Sequence, residues 1–397
     1  MTTTNGHQFW VSELNGPSRI AYDVRKGPIR FYDTTLRDGE QTVGVALDPQ
    51  QKLETARLLD SLGISRIEAG FPRVSADDAE AFGLVCKAGL RAEIWGFARA
   101  VAEDLDAVIR LGARATVIEI PCSEIKLRAY GISAEESIRR ATEAVKHAKK
   151  HGLKVAFFPV DGTRAELPHL ERLYRAVIEA GADEAVLVDT IGACGPEAIE
   201  FLVAKLRGWV GDSVPIHFHG HNDFGLATAC AIAAVRAGAE WIQGTINGMG
   251  ERAGNADIGE VAMALEGVYG VPTELKLDKI REVSRHVRRA SGYELEPWKP
   301  VVGENLFMRE SGAVASQFHI PEAIEPFSAE IVHARREIVL GKKSGLDSVA
   351  IKSRELGLDV PEAQRPTVLA AVKRKGIEKR GLLTDEEFRA IVAEVRK

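Results

Sequence analysis

Val214-Pro-Ile-His217-Phe-His219-Gly-His221-Asn-Asp223 begins as an apolar run and ends in alternating histidines followed by an amide and a carboxylate. Side chains of an extended strand repeat every second residue, so His217, His219 and His221 share one face of a strand over Val214 to His221. Neutral imidazole is the commonest protein metal ligand, and two imidazoles two residues apart supply adjacent corners of a coordination sphere. An isolated His-x-His is equally compatible with ordinary hydrogen-bonded strand histidines, so the motif needs a partner elsewhere in the chain. For the fold, what matters is the pattern itself: an apolar strand that turns polar at its C-terminal end.

That pattern recurs. From Ile29 to about Val268, short apolar runs alternate with amphipathic helical patterns, the signature of parallel strands joined by crossover helices. The strand candidates are Ile29 to Asp38, Arg66 to Pro72, Glu93 to Arg99, Ala115 to Cys122, Lys154 to Val160, Glu184 to Thr190, Val214 to His221 and Trp241 to Asn247. Helical patterns follow them, for example at Pro49 to Leu62, Ala134 to His151 and Ile258 to Leu265. Eight such units in about 240 residues predict an α/β fold, a closed (β/α)8 TIM barrel over residues 29–271, preceded by an N-terminal arm over 1–28. Polar residues gather at the strand C-termini: Arg37 and Asp38, Glu68, Arg99, Asp161, Asp189 and Thr190, His219 and His221. In a barrel those ends form one face, where active sites lie. A doubly wound open sheet is the main rival, but no Gly-x-Gly-x-x-Gly follows the first strand.

Beyond Val271 the alternation stops. Helical patterns return at Glu274 to Ser291 and at Thr384 to Val395, where Thr384 and Glu387 have capping-box spacing, and a Gly- and Pro-containing stretch runs from Glu294 to Gln317. Residues 272–397 read as a mostly helical appended region without a clear core of its own, placed over the barrel mouth or against another subunit. A homodimer in which this region contributes to the partner's site is the expected assembly.

Composition bounds the function. The chain has 397 residues, 45% hydrophobic and 27% charged, as in an ordinary globular protein. A formal charge of -5 offers no basic footprint for nucleic acid. Cys86, Cys122, Cys194 and Cys230 are widely spaced, which argues against a zinc cage or a disulfide framework and for a reducing cytoplasm. Neither a membrane span nor a signal peptide is expected, since no apolar stretch reaches ~18 residues. The polar segment from Met1 to Gly16 is a loose arm or an oligomer contact.

The partner that the histidines need lies far upstream, in Ile29-Arg-Phe-Tyr-Asp-Thr-Thr-Leu-Arg37-Asp38-Gly-Glu-Gln41, a strand running into a polar loop. A carboxylate at such a strand end completes a mixed histidine and carboxylate site. The arginine beside it can stabilise an oxyanion.

These residues resemble the DRE-TIM metallolyase superfamily, and within it the homocitrate synthase and isopropylmalate synthase branch. The matching motifs are Asp33-Thr-Thr-Leu-Arg-Asp-Gly-Glu-Gln41, Glu68-Ala-Gly-Phe-Pro72, Asp189-Thr-Ile-Gly192, Phe218-His-Gly-His-Asn-Asp223, Asn247-Gly-Met-Gly-Glu-Arg-Ala-Gly-Asn255 and Leu340-Gly-Lys-Lys-Ser-Gly345. The resemblance implies that Asp38, His219 and His221 bind a divalent cation, with Asn255 at the same site. Mg, Mn and Zn are expected, with Co also compatible. It implies that Arg37 polarises a 2-oxo group or steadies an enolate, that Gln41 and Thr190 touch substrate, and that Arg128 clamps a carboxylate. Glu68 is either a substrate contact or a brace within the barrel, and His217 is a packed neighbour of the site rather than a third histidine ligand.

Two departures limit the match. Val160 stands where the branch carries a glutamate, and Phe307-Met-Arg309-Glu310-Ser-Gly-Ala-Val314 lacks both of the branch's histidines. That glutamate and the first of those histidines form the family's acid/base pair for activating the acetyl-CoA methyl group. Valine carries no proton and arginine keeps its own near neutrality. Glu310 and His319 are the candidate replacements, while Arg309 is expected to meet an anionic group through a bidentate guanidinium.

The expected function is a metal-dependent enzyme that makes or breaks a carbon–carbon bond next to a 2-oxo acid. One form is a homocitrate synthase-like acyltransferase using acetyl-CoA or another acyl-CoA. Another is an aldolase or lyase that does not use acetyl-CoA, and a third is a non-catalytic 2-oxo-acid-binding homologue. The substituted pair predicts poor or no condensation of acetyl-CoA with 2-oxoglutarate or 2-oxoisovalerate.

Overall fold

Eight parallel strands follow one another in chain order and close on themselves: β1 Arg30–Asp33, β2 Arg66–Glu68, β3 Glu93–Arg99, β4 Ala115–Pro121, β5 Lys154–Val160, β6 Glu184–Asp189, β7 Ile216–Gly220 and β8 Trp241–Gly244. Closure comes from β8, whose Trp241 is in register with Arg30 of β1 on one side and His217 of β7 on the other. The computed structural model describes residues 2–4, 7–18 and 28–396; of the expected N-terminal arm, residues 1, 5–6 and 19–27 lie outside the described residues. The expected barrel is therefore present, strand for strand.

Strand ends differ from the expected ones where the backbone finds other partners. The first strand stops at Asp33, because the Thr34 carbonyl accepts the N–H groups of Arg37, Asp38 and Gly39 and curls the chain. The Asp33 carboxylate locks that curl by accepting from the Thr35 N–H at 2.8 Å and the Thr35 hydroxyl at 2.9 Å. Helix limits follow their caps. Pro49–Leu62 starts at a capping box of Asp48 and Gln51 and ends at Gly63, whose φ of 99° places it in the left-handed region. The helix expected over Glu274 to Ser291 begins at Ile280, since the Lys276 N–H bonds the Leu62 carbonyl and keeps the preceding residues out of a helix.

The barrel interior is filled by Tyr32, Trp95, Phe97, Val117, Phe158, Val186, Val188 and Trp241. Buried among them, Arg66 is held by both carboxylate oxygens of Glu184 at 2.6 and 2.9 Å and lies 3.6 Å over the Trp241 ring. A buried guanidinium is tolerable only when its charge and its N–H groups are met in this way.

The described residues of 14–295 form one compact unit, and residues 296–396 with the described residues up to Glu13 form a second. The second contains helices Leu346–Glu355, Arg365–Lys379 and Asp385–Val395, the last opened by the expected capping box of Thr384 and Glu387. Its interior overturns the expectation that the appended region lacks a core. Ala315, Ile338, Leu340, Val349, Val360, Val368, Val372, Phe388 and Val392 are buried together. The pairs Val368/Val372 and Phe388/Val392 are four residues apart, so each helix turns one apolar stripe inward. Among the described residues no helix is long and apolar enough to cross a membrane.

Candidate metal centre and active site

The curled loop after β1 carries Asp38 to the C-terminal end of β7. There the Asp38 Oδ2 lies 3.2 Å from His219 Nε2 and 3.5 Å from His221 Nε2. The two imidazole nitrogens are 3.4 Å apart, and all three residues are buried. His221 also bridges Asn255, whose amide Nδ2 donates to the Met249 carbonyl at 2.9 Å.

Four buried polar atoms here have no hydrogen-bond partner among the described residues: Asp38 Oδ2, Asn255 Oδ1, His221 Nδ1 and Arg37 Nη2. Orphaned buried polar atoms carry a desolvation cost, so such a cluster marks a place built for a ligand. Two neutral imidazoles, a carboxylate and an amide oxygen are the donors a divalent cation takes. Burial, with help from neighbouring cations, pushes the His221 imidazole down to about 4, which keeps its lone pair free at neutral pH. Against burial, Arg37 and the imidazoles hold the Asp38 carboxyl well below the usual carboxylate range.

The glycines around Asn255 are sterically required. A Cβ on Gly254, at φ 84°, would collide with the Gly248 carbonyl oxygen, and one on Gly250 with the Asn255 amide nitrogen. The tight return from β8 that presents Asn255 to the histidines therefore excludes a side chain at both positions.

Arg37 is aimed by its neighbours. Its Nε donates to Glu68 Oε2 at 2.6 Å, its guanidinium lies 4.2 Å over the Phe97 ring, and Nη1 is 3.6 Å from Asp38 Oδ2. Glu68 Oε1 in turn accepts the Tyr32 hydroxyl at 3.1 Å. Both oxygens of Glu68 are thus engaged by the protein.

Gln243 on β8 is a site residue the sequence reading missed. Its amide donates to His217 Nδ1 at 3.2 Å, and its Oε1 accepts from His219 Nδ1 at 3.1 Å. With Nδ1 carrying the proton, His219 presents a bare Nε2 to the Asp38 carboxylate, the tautomer a metal needs. His217 donates its Nε2–H to Glu184 at 2.6 Å and lies outside the donor cluster, as expected. The available signal was a lone amide inside the apolar strand Trp241-Ile-Gln-Gly244. Gln243→Ala should lower Mn2+ affinity by roughly 10- to 100-fold, the scale for losing an outer partner of a ligating histidine. Isothermal titration calorimetry checks this, and unchanged affinity would remove Gln243 from the site.

Other expected positions stand apart from the donor cluster. Gln41 is exposed at the end of the 3-10 turn Gly39–Gln41, beside a cavity of about 260 Å3 that Arg37 also lines. The Thr190 hydroxyl accepts the Asp161 N–H at 2.7 Å. Arg128 is 73% exposed on the helix Glu124–Tyr130, 3.8 Å from Glu124, so it is no preorganised clamp. In the second unit, Arg309 donates to the carbonyls of Leu306, Met308 and Ile324. It also lies 3.6 Å from Glu325, and an incoming anion would have to exchange these contacts. Glu310 accepts the Lys343 N–H at 2.9 Å.

The profile of the HMGL-like family matches residues 28–287. The chain is 44% identical to the homocitrate synthase AksA of Methanopyrus kandleri, over 92% of this chain and 91% of that protein. It is 41% identical to the 2-isopropylmalate synthase of Methanocaldococcus jannaschii, over 97% of this chain and 73% of that one. Among solved structures, the HMG-CoA lyase of Bacillus subtilis superposes with a TM-score of 0.62 at 20% identity, covering 68% of this chain and 95% of the lyase. At that identity the lyase shares the barrel alone, but the sequence relatives and the family profile span the barrel and its site: the chain belongs to the HMGL-like family.

Proposed function

We propose that this protein is a divalent-metal-dependent acyltransferase that forms a carbon–carbon bond between an acyl-CoA, acetyl-CoA in the first instance, and the keto carbon of a 2-oxo acid. The observation that carries the reading is the joining of two things. Relatives that align over 92% or more of this chain are named as homocitrate, isopropylmalate and putative citramalate synthases. The barrel mouth also brings Asp38, His219 and His221 together beside an arginine with an unused buried nitrogen.

The donor set suits Mg, Mn, Zn or Co. When bound, the cation supplies Lewis acidity to a chelated 2-oxo acid. The chain's own contribution is Arg37, whose free Nη2 donates to the oxygen on which charge develops, in a pocket where burial strengthens that bond. Asn255 Oδ1 adds a neutral oxygen donor.

The test is incubation of the Mg2+- or Mn2+-loaded protein with a panel of 2-oxo acids, with and without acetyl-CoA, following thiol release and product mass. Thiol release that depends on one 2-oxo acid and yields the hydroxy diacid supports the proposal. The weak turnover expected with 2-oxoglutarate and 2-oxoisovalerate is read in the same panel.

A second reading, cleavage by an aldolase or lyase without acetyl-CoA, is favoured by Val160 at the end of β5, an apolar side chain packed against the barrel interior. Cleavage of hydroxy acids to a 2-oxo acid without thiol release would select it. We further propose a cytoplasmic homodimer in which the region after Pro272 completes the partner's site. Sedimentation showing a dimer at micromolar concentration supports this, and a monomer counts against it.

A further inference from the structure

The carboxylates at the barrel mouth are nearly all spoken for. Asp33 is bound by Thr35, and Glu68 by Arg37 and Tyr32. Asp161 is held by Arg164 and Ser123, Asp189 by Thr163 and two backbone N–H groups, and Asp223 by Arg252. Asp38 belongs to the donor cluster. Glu119, near the end of β4, is the exception among the carboxylates borne on the described strands. None of the described residues hydrogen-bonds or ion-pairs with its carboxylate, although the residue is half-buried.

Strand register fixes where it points. Glu119 is in register with Arg99 on β3 and with Phe158 on β5. Register partners in a parallel sheet project to the same face, and Phe158 faces the interior, its ring 5.0 Å from that of His219. Phe97, two residues before Arg99, carries the Arg37 guanidinium on its ring. Glu119 therefore rises from the interior between the residues that flank His219 and Arg37. It also lines a cavity of about 410 Å3, with room for a small acyl group along Ile120, Val160 and Ile132, and with Arg99, Asp104 and Arg140 among its charged walls.

We infer that Glu119 is the acid/base residue of this barrel, taking the proton from the carbon next to an acyl thioester held in that cavity. The inference rests on the acyltransferase reading above. As the C–H bond breaks, its electron pair forms the new bond to the keto carbon of the 2-oxo acid. The keto π pair moves onto oxygen, and Glu119 returns the proton there as a hydroxyl. Water then hydrolyses the thioester and the thiol leaves.

The electrostatics agree with the geometry. Burial pushes the Glu119 carboxyl up to about 7, against the pull of Arg37 and Arg99 and with the repulsion of Glu68 and Asp104. These groups face it from β2, β3 and the segments that follow β1 and β3, and Arg73, Glu103 and Arg140 line the same cavity. A carboxylate poised near neutrality can both take and return a proton. A base acts when deprotonated, so turnover should rise with pH through a limb near 7.

Two measurements test this. In the Mg2+-loaded protein labelled with 13C-glutamate, one carboxyl resonance should titrate near 7 and vanish in Glu119→Gln; titration in the ordinary range near ~4.3 overturns the inference. With the 2-oxo acid that supports thiol release, Glu119→Gln should lower kcat by about 100- to 10,000-fold. KM for that acid should stay within a few-fold, the thermal midpoint should hold, and the limb near pH 7 should disappear. Glu119→Asp should recover part of the loss. Turnover within a few-fold of wild type, or a persisting limb, overturns the inference. Wild-type protein without thiol release on any substrate counts against the acyltransferase reading, while the resonance titration still decides the state of Glu119.

Discussion

Arg37→Ala should keep its fold and its metal and lose turnover by at least about 100-fold, the scale for removing one preorganised oxyanion donor. Three contacts fix the guanidinium: the Glu68 carboxylate at 2.6 Å, the Phe97 ring and the edge of Asp38. Its remaining nitrogen, Nη2, has no partner and is buried, so it is already positioned for an oxygen that becomes negative only during reaction. Such a donor is worth more in the transition state than in the ground state, so the loss should fall on kcat. Removing one partner of a buried ion pair ordinarily costs about 3–5 kcal/mol. Here burial already raises the Glu68 carboxyl, so without Arg37 it would take up a proton and keep its bond to Tyr32. Arg37→Ala/Glu68→Gln should recover stability without recovering turnover. A single variant with turnover within a few-fold of wild type would make Arg37 a structural residue.

Asp38→Asn should lower divalent-cation affinity by more than the roughly 100-fold expected for an outer partner, and turnover with it. The substitution keeps the volume and removes the only anionic donor of the cluster. Asp38 also offsets Arg37, whose Nη1 lies 3.6 Å away, so the variant leaves uncompensated positive charge where the cation must sit. Mn2+ binding followed by calorimetry or electron paramagnetic resonance reads the loss directly. Retained affinity would show that the ion is held elsewhere.

Much of the architecture was legible because its signals are local. Short apolar runs marked the strands, amphipathic patterns marked the helices between them, and the capping-box spacing of Thr384 and Glu387 marked one helix start. Asp38, His219 and His221 were legible because strand phase and a polar strand end place them on one face of the barrel. Glu119 and Gln243 were not singled out, since a lone polar residue within an apolar run has no meaning until register supplies its neighbours. His219 becomes the neighbour of Gln243 only when β7 pairs with β8. The core of the second unit was hidden for a related reason. It is assembled from Leu340, Val349, Val368 and Phe388, whose segments are individually polar and meet only in three dimensions. Arg309 shows the same limit in reverse: its charge suggested a ligand, and the fold gave it backbone carbonyls.

The proposed chemistry depends on the cation site, and anomalous diffraction from crystals grown with Mn2+ tests that site most directly. The expected result is one strong peak bounded by Asp38 Oδ2, His219 Nε2 and His221 Nε2, with Asn255 Oδ1 beside it. A fully occupied peak elsewhere, with these atoms left in contact only with one another, would contradict it.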